Sequence, residues 1–137
     1  MLKKLFTILI APGILLGTMF AVHIKPDEAS LIPLDKGVMA GRASWYSRYD
    51  AGINLRTASN EIFNDREMTC AMWNVPFNQR LRVTNLENGR SVIVRVNDRG
   101  PHKRLVSKGR VIDLTRSAFR HISGAGRGIV RVQIEFL

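Results

Sequence analysis

The sequence predicts a mainly β domain closed into a barrel, and three observations carry that reading. In residues 80–101, RLRVTNLENGRSVIVRVNDRGP, apolar side chains alternate at Leu81 and Val83 and again at Val92, Val94 and Val96, on either side of a turn through residues 85–89. Period-two alternation around a Gly-containing turn is the pattern of a β-hairpin. Near the C-terminus, Val130, Val132, Ile134 and Phe136 alternate with polar residues and mark a second strand pattern with one buried face. Only one stretch reads as a helix: Thr115 is its N-cap, Ala118, Phe119 and Ile122 form its apolar face, and Gly124 stops it. Many short strands beside a single short helix favour closure of the sheet on itself.

The elements follow in chain order. Lys3 and Lys4 precede an uncharged apolar run over residues 5–21, and Lys25-Pro26-Asp27-Glu28 comes after it. That is the layout of an export signal, with Ala21 before the cleavage point. Left uncleaved, the run would be a membrane anchor at the short limit of about 17 residues, and both outcomes stay open. No Cys stands at the end of the run to accept a lipid, so a lipoprotein is not expected. Residues 22–37, with Pro26, Pro33 and mixed charges, read as a linker. Residues 38–137 are about the size of one compact domain, and no second domain is expected. Within it the strands are read at residues 41–47, 68–72, in the hairpin, at 110–114 and at 129–137.

Charge and cysteine use narrow the class. The formal net charge is +10; Lys3 and Lys4 belong to the leader and no acid does, which leaves +8 on the rest. An exported basic domain meets anionic partners such as wall polymer or a membrane surface, and its compartment excludes nucleic acid. The single cysteine, Cys70 in Met68-Thr69-Cys70-Ala71-Met72, leaves no internal disulfide and reads as a small core residue. His23, His102 and His121 are scattered and the acids are not clustered, so neither a metal nor a cofactor is expected.

The hairpin runs straight into Asn97-Asp98-Arg99-Gly100-Pro101, which puts a carboxylate where a strand ends and the backbone turns. Asp98 is therefore either a catalytic acid aimed by the hairpin or a brace for the turn through backbone N–H groups. Trp45, Tyr46 and Trp73 are candidate platforms for the flat C–H faces of sugar rings, or else core residues, and Arg and Asn side chains such as Arg99 and Asn97 can bond sugar hydroxyls.

Taken together, Ala43-Ser44-Trp45-Tyr46, Thr57-Ala58-Ser59-Asn60-Glu61-Ile62-Phe63, Asn88-Gly89-Arg90-Ser91-Val92, Val94-Arg95-Val96-Asn97-Asp98-Arg99-Gly100-Pro101 and Val111-Ile112-Asp113-Leu114-Thr115 resemble the rare lipoprotein A (RlpA) family. The resemblance implies a six-stranded double-psi β-barrel related to the expansins. It also implies a peptidoglycan lytic transglycosylase of the bacterial envelope that cleaves glycan strands without stem peptides and leaves 1,6-anhydro-muramyl ends. On the same resemblance the catalytic residues are Asp98 and the groove acid Glu61, and Asp113, counted with the substrate-binding residues, matches a functional position of the expansin relatives. The family's catalytic His falls on Met72, whose thioether neither takes nor gives a proton. His102 is close enough in sequence to Asp98 to stand in for it, or is simply an exposed loop residue. The expected function is a transglycosylase acting on glycan strands in the periplasm or envelope. The alternatives are a non-catalytic glycan-binding or wall-loosening module that has lost the His, and an interaction protein.

Overall fold

The computed structural model describes residues 33–34, 37–124 and 126–137; the leader and most of the segment read as a linker lie outside the described residues. Seven strands and two short helices follow one another as β1 (Pro33–Leu34), β2 (Val38–Tyr46), β3 (Thr69–Ala71), β4 (Arg80–Asn85), β5 (Ser91–Asp98), α1 (Lys103–Val106), β6 (Arg110–Thr115), α2 (Arg116–Ile122) and β7 (Ile129–Phe136). The sheet order is β1-β2-β6-β3-β5-β4-β7, and β7 also pairs with β2, so six strands close into a barrel with β1 added outside. Two pairs are parallel, β2 with β6 and β3 with β5, and the others are antiparallel.

The alternating residues fill the barrel. Leu81 and Val83 of β4, Val94 and Val96 of β5, Ile112 and Leu114 of β6, and Val132 and Ile134 of β7 are buried. Cys70 is wholly buried among them, and burial pushes its thiol well above the ordinary range. The buried alternation of β7 ends at Ile134: Phe136, the last residue of the strand and still paired with Leu81, is 39% exposed.

The hairpin forms as expected, with Leu81 opposite Val94 and Val83 opposite Val92. Its turn is closed by Gly89 N–H donating to Asn85 O at 2.8 Å, with Gly89 at φ 71°, where a side chain would be strained. The turn also caps α2, because Asn85 and Asn88 donate their side-chain amides to Ile122 O at 2.8 and 3.0 Å. Thr115 Oγ1 accepts from Ala118 N–H at the other end, and Ala118, Phe119 and Ile122 are buried against the barrel.

Three expectations need correction. A second helix, α1, exists; it has four residues and no buried face, so it leaves no hydrophobic periodicity to read. Pro33 and Leu34, assigned to the linker, pair with Met39 and Val38, a ladder too short to produce alternation. The first barrel strand begins at Val38 rather than at residue 41, because β7 pairs with it from Val38 onward. Gly41 lies where β2 crosses β6, and a Cβ there would collide with the side chain of Val111.

Candidate functional site

One extra residue re-aims Asp98. In the β3–β5 ladder Cys70 is opposite Val96, but the next partner of Ala71 is Asp98, so Asn97 is an inserted residue. Strict alternation would send Asp98 into the core with Val94 and Val96. The bulge turns it instead to the face of Ala71, which packs with Tyr46 and Phe63 outside the main core. A second shift, between Arg42 and Ala43 in the β2–β6 ladder, puts Ser44 opposite Asp113 and Tyr46 opposite Thr115. The two bulges thus deliver Asp98, Asp113 and Tyr46 to one open cleft of about 410 Å³, which Thr57, Ala58 and Arg99 also line.

Each carboxylate has one oxygen held and one free. Asp98 Oδ1 accepts the backbone N–H of Ala58 at 2.9 Å and of Arg99 at 2.8 Å. Asp113 Oδ1 accepts the Ser44 hydroxyl and Arg110 Nε–H, the latter at 2.8 Å. Among the described residues no donor bonds the Oδ2 atom of either. Gly100 keeps the cleft open, since a Cβ there would lie 3.1 Å from Ala71 Cβ and 3.5 Å from Asp113 Oδ2. The Tyr46 ring stacks on Phe63 at 4.6 Å, and its buried hydroxyl lies beside the Asp98 carboxylate without a partner at full hydrogen-bond geometry. Burial, then the charges of Asp98 and Asp113, push that hydroxyl far above the ordinary tyrosine range, so it remains a donor at any physiological pH.

Glu61 does not line this cleft. Its carboxylate is clamped by Arg95, with Nη1 at 2.7 Å from Oε1 and Nη2 at 2.9 Å from Oε2, and by Asn97 Nδ2 at 3.0 Å. These bonds lower its pKa to about 2, so at neutral pH Glu61 has no proton to give. Asn97 is buried and committed to Glu61 rather than offered to a ligand. Arg99 borders the cleft, but its guanidinium donates to Met72 O at 3.0 Å and stacks 3.8 Å above the Phe77 ring centre, so it latches the turn.

The aromatic candidates separate. Tyr46 is in the cleft, whereas Trp45, on the opposite face of β2, lines a second concavity with Arg116, Phe119, Arg120 and Arg127. Trp73 donates Nε1–H to Pro101 O at 2.6 Å and lines an apolar groove with Met72, Val75 and Val111. Met72 is buried there; only its backbone reaches the site, through Met72 N–H to Asp98 O at 3.1 Å. His102 is exposed at the cleft edge, and its Nδ1 accepts Arg104 N–H at 3.3 Å as the N-cap of α1. Sequence reasoning overlooked Ser44, Ala58 and Arg110, which hold the two aspartates. Only Ser44, two residues before Tyr46 and so on the same strand face, left a readable signal.

A closed six-stranded barrel with two parallel pairs, β2 with β6 and β3 with β5, is the architecture of a double-psi β-barrel. The fold is shared with the Streptomyces papain inhibitor, at TM-score 0.56 and 23% identity over 77% of this chain and 98% of that one. It is shared too with an expansin of Clavibacter michiganensis, at TM-score 0.53 and 23% identity over 73% of this chain and 50% of that one. Within that class, residues 38–134 match the family described as lytic transglycolase, and the chain belongs to that family. It is 50% identical over 97 residues to the probable endolytic peptidoglycan transglycosylase RlpA of Nostoc sp., covering 71% of this chain and 25% of the relative. It is 44% identical over 97 residues to the endolytic peptidoglycan transglycosylase RlpA of Pasteurella multocida, covering 71% and 31%. The chain therefore spans about a quarter to a third of the length of these curated relatives.

Proposed function

We propose that this domain is a peptidoglycan lytic transglycosylase of the RlpA type, with Asp98 as the group that moves the proton. The observation that carries this reading is the pair of aspartates in one open cleft, each fixed through Oδ1 and each leaving Oδ2 to a ligand. In the reaction the Asp98 carboxyl gives its proton to the glycosidic oxygen as the bond from that oxygen to C1 of the muramyl residue breaks. Positive charge develops at C1 and the ring oxygen, and the ion-paired Asp113 faces it. The Asp98 carboxylate then takes the proton of the muramyl C6 hydroxyl while O6 closes on C1, giving the 1,6-anhydro end. One group serves as acid and then base, so no water enters the product. Tyr46, its hydroxyl buried beside the aspartates, forms the floor of the cleft, Arg99 and Asn97 hold the turn that carries Asp98, and Glu61 with Arg95 braces β5 from outside.

The chain acts, on this reading, after export to the cell envelope, in the periplasm, through a leader over residues 1–21 that is cleaved or kept as an anchor. Its partner is the glycan strand, not nucleic acid. Incubation of the domain with stem-peptide-free glycan strands, followed by mass spectrometry, tests the reading: anhydro-muramyl ends are expected, and intact strands overturn it.

Met72 favours a second reading, a glycan-binding module without turnover, because no imidazole stands at the position where the family resemblance places one. Binding to purified wall with no anhydro ends in the same experiment would establish it.

A further inference from the structure

The concavity around Trp45 is not used by the chemistry proposed for Asp98. It is about 250 Å³ in volume and lies on the other face of β2, between α2 and the start of β7. Trp45 is only half-buried and forms its aromatic wall, with the Arg116 guanidinium 5.6 Å from the ring centre. Arg120 follows four residues after Arg116 on α2, and Arg127 approaches from the loop before β7. Among the described residues neither Arg116 nor Arg120 has a carboxylate partner, while Arg127 is ion-paired with Glu87. The remaining wall is Phe119 with Gly124, Gly126 and Gly128; an added Cβ at any of these glycines would meet nothing within 4 Å, so bare backbone borders open space there.

An indole that packs on the core along one side and is partly exposed on the other, beside two unpaired guanidinium groups, fits a particular chemistry. The ring accepts the C–H face of a sugar, and the planar guanidinium bonds a carboxylate with two parallel N–H groups. We propose that this concavity binds an acidic sugar of the glycan strand, a muramyl residue held through its lactyl carboxylate, at a point separate from the cleft that contains Asp98. The choice of muramyl sugar rests on the peptidoglycan reading above; the requirement for an anionic sugar rests on the concavity alone. A concave site with one aromatic wall suits a single ring better than a flat anionic membrane, which would meet the arginines without needing the indole.

The test uses the ¹⁵N-labelled chain, in which the indole N–H signals of Trp45 and Trp73 are told apart with Trp45→Phe. Titration with N-acetylmuramic acid is expected to shift the Trp45 indole signal while that of Trp73 stays. N-acetylglucosamine, which lacks the carboxylate, is expected to bind at least about tenfold more weakly, the loss that one charge-assisted hydrogen bond implies. Arg116→Gln and Arg120→Gln, both at exposed positions, are each expected to weaken the acidic sugar by a similar factor and to leave the melting temperature unchanged. Equal affinity for the two sugars overturns the proposal, as does a Trp45 signal that moves only with phosphatidylglycerol vesicles. Cleavage by Asp98 is read separately: binding at Trp45 without anhydro products upholds this site and overturns the transglycosylase reading, and cleavage with an unmoved Trp45 signal does the reverse.

Discussion

Replacing Asp98 by asparagine separates the two jobs its carboxylate holds. Oδ1 accepts two backbone N–H groups, from Ala58 at 2.9 Å and Arg99 at 2.8 Å, and the amide oxygen of asparagine can accept both. The bonds become neutral ones, at a cost of about 1 to 2 kcal/mol in total, which lowers Tm by roughly 5–15 °C in a domain of this size. Asp98→Ala strands both N–H groups at the edge of a solvent-filled cleft and should cost more, about 2 to 3 kcal/mol. Product formation should behave otherwise. Asparagine has no carboxyl proton to move, so the rate of forming anhydro ends at 25 °C should fall by about 10²–10⁴-fold in Asp98→Asn, although the protein remains folded. The assay pairs mass spectrometry of the glycan products with near-ultraviolet circular dichroism on the same samples, so that any loss of folded protein is corrected. An Asp98→Asn variant that keeps a rate within about tenfold of the wild type would refute the proton-transfer role and leave Asp98 as a brace.

Three further expectations follow from neighbouring residues. Glu61 has a folded pKa of about 2 against an ordinary 4.5. Its contribution to stability is therefore complete above pH 4.5 and disappears as the pH falls to about 2. Denaturant titrations of wild type and Glu61→Gln should differ most at neutral pH and converge near pH 2; with the two side chains 37% and 33% exposed, screening keeps the gap to about 1 kcal/mol or less. Tyr46→Phe removes a buried hydroxyl that has no partner at hydrogen-bond geometry, so the melting temperature should stay or rise and glycan binding should be unchanged; a large drop in stability would mean the hydroxyl is bonded within the fold. Met72→His puts a polar ring into a site only 3% exposed and facing the Trp73 groove, so it should destabilise by about 1 to 3 kcal/mol without raising product formation. A gain in anhydro ends from that variant would show that an imidazole at this position reaches the cleft.

The hairpin, the last strand and α2 were legible because each repeats a local period: Leu81 and Val83 against Val92, Val94 and Val96, Val130 to Ile134, and a capped stripe of Ala118, Phe119 and Ile122. α1 was not, because its four residues bury nothing. The candidate site was legible in its residue types more than in their use. Asp98, Asp113 and Tyr46 do share a cleft, but Glu61 had been read as a groove acid and is clamped by Arg95, a partner 34 positions away. By residue type Trp45 and Tyr46 are equal candidates for a sugar platform, yet adjacent residues of a strand face opposite ways, and only Tyr46 meets the aspartates.

By itself the sequence determined which segments extend, which residue ends the hairpin, and that position 72 carries no proton-transfer group, since each is a property of a side chain or of its near neighbours. The tertiary structure alone decided where those side chains point. Asn97 becomes an inserted residue only when β5 is laid beside β3, and Ser44 meets Asp113 only when β2 is laid beside β6 with its own one-residue shift. The period of a strand is two, so one inserted residue exchanges its faces, and whether an insertion occurs depends on pairing with a distant strand and on the packing of the closed barrel. That exchange separates an Asp98 buried beside Val96 from an Asp98 open to a ligand.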